Sequence, residues 1–214
     1  MTYHIITLFP AAFDSYLNES ILKRAIEDKK IKVKFYNPRD FTKGTSYADR
    51  RVDDKPYGGG PGMVIEALPV IKAIAKAKGN KNAKIIWFTP SGKQFDTKYA
   101  KEAATKHKNI IFICGRYEGI DARVKKTFKV EEISVGPFVL TGGELPAMLL
   151  IDSISRQIPG VLGDMQSLEE SRIASPDVYT RPEVVEYKGK KYRVPKVLLS
   201  GNHKLINEWR RNKK

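Results

Sequence analysis

Three short loops hold most of the residues that could grip a small molecule. They are Thr89-Pro90-Ser91-Gly92, Cys114-Gly115-Arg116-Tyr117-Glu118-Gly119, and the long segment Ser134-Val135-Gly136-Pro137-Phe138-Val139-Leu140-Thr141-Gly142-Gly143-Glu144-Leu145-Pro146. Each follows a short apolar run. Glycine lets backbone N–H and C=O groups come close to a ligand, and open α/β sheets bind ligands at the carboxyl ends of their strands. One such loop is more often a plain turn; three in succession could enclose one ligand. Phosphoryl transfer is a poor fit. Pro56-Tyr57-Gly58-Gly59-Gly60-Pro61-Gly62-Met63 has the glycines of a phosphate loop but not the Lys-Ser/Thr that would follow them. The first strand runs into Phe9-Pro10-Ala11-Ala12-Phe13, so the dinucleotide fingerprint is missing too. Cys114 is the single cysteine and ends the run Ile110-Ile111-Phe112-Ile113. That excludes disulfides and cysteine-based zinc sites, and such a thiol packs as a small hydrophobe more readily than it attacks.

The elements that position these loops can be read from periodicity. Tyr3–Leu8, Lys32–Tyr36, Lys84–Thr89, Asn109–Cys114 and Val130–Val135 are β-rich runs. Between them, Phe13, Leu17, Ile21, Leu22, Ala25 and Ile26 recur at helical spacing, as do Leu68, Ile71, Ile74 and Ala75, then Tyr99, Ala103 and Ala104. Pro146 just inside Ala147-Met148-Leu149-Leu150-Ile151 suits the first turn of a buried helix. This alternation predicts an α/β fold with a mostly parallel sheet and helices on both faces. The 214 residues allow one good core plus a small appendage. Pro159 to Pro176 lacks periodicity, which sets expected boundaries of 1–158 for the main domain, 159–176 for a linker and 177–214 for a basic C-terminal domain. The polar connection Asn37–Met63 is long enough to expect a function of it. In it, Asp53 and Asp54 could order Arg50 or Arg51. His4 and His107 flank strands and suit structural roles. The apolar start is too short for a signal peptide or a membrane span, so a cytoplasmic protein with no membrane partner is expected.

The formal net charge is +15, and much of it lies at one end. From Lys188 to Lys214 there are ten Lys or Arg against one acid, Glu208. Such a field draws phosphate-bearing partners. Pro195, Gly189 and Gly201 interrupt the segment and argue against a membrane-lying helix. Tyr187, Tyr192 and Trp209 interleave with the cations, the composition needed to hold phosphates and stack on bases. Asn202 could cap a last helix.

Read together and in order, Asn37-Pro38-Arg39-Asp40-Phe41, Val52 to Met63, Gly115-Arg116-Tyr117-Glu118-Gly119-Ile120-Asp121, Leu140-Thr141-Gly142-Gly143-Glu144-Leu145-Pro146-Ala147 and Tyr179-Thr180-Arg181-Pro182 closely resemble the bacterial tRNA (guanine-N1)-methyltransferases, the TrmD family of the SPOUT class. The resemblance covers essentially the whole chain. It implies a SPOUT-type sheet with a deep trefoil knot, which ordinary connection rules would not predict, and a small, mainly helical basic C-terminal domain. It also implies a homodimer with the active site at the subunit interface. The implied reaction is S-adenosylmethionine-dependent methylation of N1 of the guanine at tRNA position 37, next to the anticodon. The implied cofactor residues are Thr89, Pro90, Ser91 and Gly92, then Gly115, Tyr117 and Glu118, then Ser134, Val135, Gly136, Pro137, Phe138, Val139, Leu140, Gly142 and Gly143. Pro137-Phe138 stands where the family usually has Asp-Tyr, which removes a backbone donor and a hydroxyl.

Guanine N1 carries a proton and is a weak nucleophile, so its methylation needs a base for that proton and a cation near O6. Arg156 matches the family's catalytic arginine. The family's base is a linker aspartate, and here the matching stretch reads Ser167-Leu168-Glu169-Glu170-Ser171-Arg172 with a few residues fewer before Tyr179. The base is assigned to Glu170, with Glu169 and Asp177 as alternatives. The resemblance also implies a Mg²⁺ requirement. Glu118 could hold that ion or could only orient the loop or the sulfonium, and no metal site is readable from the residues. His203 matches a position facing RNA, and Tyr57 to Met63 is expected to support the core and the dimer interface. Two other readings differ in chemistry. A SPOUT enzyme could act on another target, a ribose 2′-hydroxyl or rRNA, and ribose chemistry would not need the linker carboxylate; a noncatalytic RNA-binding protein would show damaged cofactor loops.

Overall fold

The computed structural model describes residues 1–44, 46, 49–163 and 177–211, which divide into two compact units, Met1–Leu162 and Gly163–Lys214. The first unit is built on five parallel strands: β1 (Thr2–Ile6), β2 (Lys32–Tyr36), β5 (Lys84–Gln94), β6 (Asn109–Ile113) and β7 (Glu131–Ser134), in the order β2-β1-β6-β5-β7. Two further strands of two residues each, β3 (Asp53–Asp54) and β4 (Val64–Ile65), pair antiparallel inside the long polar connection. Parallel strands need crossovers, and these supply α1 (Asp14–Leu17), α2 (Ser20–Glu27), α3 (Ala67–Lys78), α4 (Thr97–Lys106) and α5 (Arg123–Thr127), while α6 (Glu144–Ser155) follows the last strand, β7.

Strand alternation sorts the core into two layers. Tyr3, Ile5, Ile110, Phe112, Ile86 and Ile133 face one side and pack with Leu150, Ile151 and Ile154 of α6 and Ala100 and Ala103 of α4. Ile6, Ile111, Ile113, Ile85 and Trp87 face the other side and pack with Val70, Ala73 and Ile74 of α3. Covered on both faces, the strands read as near-continuous apolar runs. Helix starts are set locally: the Asp96 carboxylate accepts from the Tyr99 N–H at 2.7 Å and caps α4. The α6 helix begins at Glu144, so Pro146 falls within its first turn. Val161 is buried with the first core. His4 is buried, with Nδ1 3.1 Å from the Tyr36 hydroxyl and Nε2 3.3 Å from Asn109 Oδ1, and burial lowers its pKa.

The second unit carries a hairpin, β8 (Val184–Tyr187) and β9 (Lys190–Arg193), then α7 (Lys196–Leu199) and α8 (His203–Arg211). Lys188 and Gly189 at φ 51° and 73° make the tight turn, as two-residue hairpin loops require. Asn202 Oδ1 caps α8, accepting from the Lys204 and Leu205 N–H groups at 3.1 and 3.3 Å. Neither helix of this unit has a buried residue. Among the described residues, no helix is long and apolar enough to cross a membrane.

Candidate active site

A cavity of about 160 Å³ opens at the carboxyl ends of β5, β6 and β7. Thr89 and Pro90 line it from the first loop, Gly115, Arg116, Tyr117, Glu118 and Gly119 from the second, and Ser134, Val135, Gly136, Phe138, Val139, Leu140, Thr141, Gly142, Gly143 and Pro146 from the third and the start of α6. Phe88 and Ile133 close its floor. Three residues of the expected set, Ser91, Gly92 and Pro137, do not line it. Phe88 and Lys93 both pair with Ile133, so Thr89–Gly92 is looped out of β5. The loop returns at Gly92, where an added Cβ would stand 2.6 Å from the Ile133 nitrogen of β7. Pro137 is exposed, and the neighbouring Phe138 folds its ring back onto Gly136. Gly136 is pinned from below, its N–H donating to Ser134 Oγ at 3.2 Å while that hydroxyl donates to the Gly136 carbonyl at 3.0 Å.

The third loop is pressed against the second so closely that only glycine fits. The Gly143 N–H donates to the Gly115 carbonyl at 2.9 Å, and a Cβ on Gly143 would meet Cys114 Cα at 2.5 Å. The second loop is braced from the polar connection. The Glu118 N–H donates to the Met63 carbonyl, Ile65 N–H to Gly119 and Asp121 N–H to Ile65. A Cβ on Gly62 would lie 2.7 Å from Glu118 Oε1, so the glycine-rich turn leaves room for that carboxylate. Tyr117 sits at φ 58°, a conformation that costs a bulky residue on the order of 1–3 kcal/mol. In the same connection Arg51 Nε donates to the Asp53 carbonyl at 2.7 Å, and Arg50 lies 3.7 Å from Asp40.

Beneath the cavity a buried charge pair ties three elements together. The Glu144 carboxylate, 3 % exposed, accepts from Thr7 Oγ1 at 2.7 Å through Oε1 and lies 2.9 Å from Arg116 Nε through Oε2. The Arg116 N–H is not aimed along that line, so the contact is coulombic rather than a hydrogen bond. The Arg116 guanidinium stacks over Phe9 at 4.7 Å. Cys114 is fully buried nearby. Burial, and then the Glu144 charge, push its thiol pKa up, leaving it unreactive.

Arg156 lies elsewhere. It ends α6 and lines a separate groove of about 560 Å³ with Tyr16, Leu145, Leu149 and Asp152. Twelve residues of helix separate it from Glu144, about 18 Å at the usual rise. Tyr16 donates to the Asp152 carboxylate, which pushes its hydroxyl pKa up to about 12. Glu170 and Glu169 lie outside the described residues. Asp177 is exposed in the second unit. There, the Tyr179 and Trp209 rings meet at 6.2 Å, Lys188 stands over Tyr187, and His203 is exposed on α8. Among the described residues, no three His, Cys, Asp or Glu gather as a metal site.

Phe88, Arg116, Gly119, Ile133, Thr141 and Pro146 are cavity residues outside the expected cofactor set, although Arg116, Gly119, Thr141 and Pro146 lie within the loops read from the sequence. Phe88 and Ile133 had a usable signal, since both point to the same sheet face just before a loop. The Thr7–Glu144–Arg116 contact had none, because its partners are 137 and 28 positions apart.

The fold and the cavity define a class: an α/β enzyme with its site on glycine-rich loops at the carboxyl ends of parallel strands. Within it, the chain belongs to the family described as tRNA (Guanine-1)-methyltransferase TrmD, which it matches over residues 1–214. It is 48% identical over 218 residues to a tRNA (guanine-N(1)-)-methyltransferase of Clostridioides difficile, covering 99% of this chain and 91% of that protein. A protein of the same name from Geotalea uraniireducens is 49% identical over 218 residues, covering 99% and 84%. One from Buchnera aphidicola is 45% identical over 213 residues, covering 97% and 87%.

Proposed function

We propose that this protein methylates N1 of the guanine at tRNA position 37, using S-adenosylmethionine held in the cavity at the ends of β5, β6 and β7. The observation that carries this reading is the full-length family match on a chain whose glycine loops close on one cavity. The cavity suits such a cofactor. Gly142 and Gly143 line the cavity and, lacking Cβ atoms, let the third loop pack directly on Arg116 and Cys114; Phe88, Ile133 and Pro146 give apolar walls, and Glu118 brings a carboxylate. Pro137 cannot donate to a ligand, which leaves polar recognition to its neighbours' backbone. When bound, S-adenosylmethionine supplies a methyl group on a sulfonium. Glu118 would face that charge, and it is also the carboxylate available should the reaction use Mg²⁺.

The chain's own groups supply the proton chemistry. The Glu170 carboxylate takes the N1 proton, and Arg156 stabilises the negative charge that collects on O6 as N1 bonds to the methyl carbon. Glu169 and Asp177 are the alternative bases. Within one protomer Arg156 is about 15 Å of helix away from Pro146, the α6 residue that lines the cavity. A symmetric dimer with α6 helices antiparallel would set one copy's Arg156 opposite the other's cavity. Exposed Phe9, Tyr16, Leu145 and Leu149 offer the apolar surface for it. The trefoil knot is consistent with the return of the chain from edge strand β7 across the ends of β5 and β6, where Gly143 touches Cys114 backbone. The basic second unit would hold tRNA, in the cytoplasm. With methyl-labelled cofactor and tRNA, the label is expected in 1-methylguanosine. A Glu170→Gln variant that keeps the full rate would reassign the base.

A further inference from the structure

We propose that Glu144, which no part of the reaction above uses, is a positioning residue that sets the charge of the cavity and so its preference for a cationic over a neutral cofactor. The inference rests on the reading of the cavity as an S-adenosylmethionine site.

Among the described residues that line the cavity, only Arg116 and Glu118 carry formal charge, and they cancel. Glu144 does not line the cavity but lies directly under its wall: a Cβ on Gly142 would be 2.6 Å from Glu144 Oε2 and 2.7 Å from Arg116 Cδ. It is buried, fixed by Thr7 and in charge contact with Arg116 at 2.9 Å. Thr7 is itself held, its Oγ1 accepting from the Phe9 N–H at 2.9 Å. Glu144 therefore cancels Arg116 and leaves Glu118 as the net charge presented to a ligand. A sulfonium is favoured there, whereas the neutral thioether product gains nothing from it. At an effective dielectric of about 20, one unit of charge some 10 Å away changes binding roughly tenfold.

The test is calorimetric binding of S-adenosylmethionine and of S-adenosylhomocysteine, which lacks the methyl and its charge, to wild type, Glu144→Gln, Arg116→Gln and the double variant. Glu144→Gln should weaken the sulfonium roughly tenfold relative to the thioether. Arg116→Gln should shift the ratio the opposite way, and the double variant should return it to the wild-type value. Loss of packing alone would weaken both ligands together and could not reverse sign. If Glu144→Gln does not fold, Arg116→Gln alone decides. Ratios that stay constant while wild type binds both ligands overturn this inference only. Wild type that binds neither overturns the cofactor reading and the inference with it.

Discussion

On the proposed function, the two compact units would solve recognition in opposite ways. The cavity loops of the first unit are fixed from below, Gly143 against the Cys114 backbone, Gly92 against the Ile133 backbone and Gly136 by the Ser134 hydroxyl, with a buried carboxylate under the wall. The second unit presents a hairpin whose strands are almost wholly exposed, a Lys-Gly turn and an amphipathic last helix with no buried residue. A small ligand needs donors and acceptors placed to fractions of an ångström, so its site is built on packed strands ends. A polyanion is held by charge and ring stacking, which tolerate displacement, so its surface can stand on a thin scaffold.

That contrast can be broken from either side. The largest effect should come from Arg156→Ala, with kcat lowered about 10²–10³-fold, the usual loss on removing one charge-stabilising donor, and with S-adenosylmethionine affinity unchanged. A parallel loss of cofactor binding would place Arg156 in the cavity instead. Next is Gly143→Ala. Its Cβ meets Cys114 backbone, which cannot yield as a side chain would, so urea unfolding should show about 1–3 kcal/mol lost and cofactor binding should fall with it. Replacing Lys188, Lys190 and Lys191 with Gln should do the reverse, leaving cofactor affinity intact while lowering the salt slope of tRNA binding by up to about three. The smallest effect is Tyr16→Phe, about 0.5 kcal/mol for an exposed hydrogen bond. Because the Asp152 hydrogen bond raises the Tyr16 pKa from 10.0 to about 12, the folded state holds that proton more tightly. The contribution is therefore complete below pH 10 and fades as pH rises toward about 12, and the variant's stability curve should lack that fall.

Much of the fold was legible because the parallel strands are buried on both faces and stand out as apolar runs. Lys32–Tyr36 was read to the residue, and the other four sheet strands within a few residues, the largest difference being β5, which re-pairs past its looped-out segment. What escaped were elements without apolar periodicity: the two-residue strands around Asp53 and Val64, whose pairing is set by the turn between them, and the basic helix Arg123–Thr127. In the site, glycine spacing located all three loops but could not separate glycines that line the cavity from Gly92, which faces β7. Long-range polar contacts such as Thr7 to Glu144 leave no local trace, because neither residue type nor spacing encodes a partner 137 positions away.

The central claim is tested most directly with a pair of tRNA transcripts that differ only at position 37, each incubated with the protein and methyl-labelled S-adenosylmethionine and then mapped by nucleoside. The account predicts 1-methylguanosine at position 37 of the transcript with guanine there and no product on its twin. Equal methylation of the twin, or label on a ribose, would contradict it.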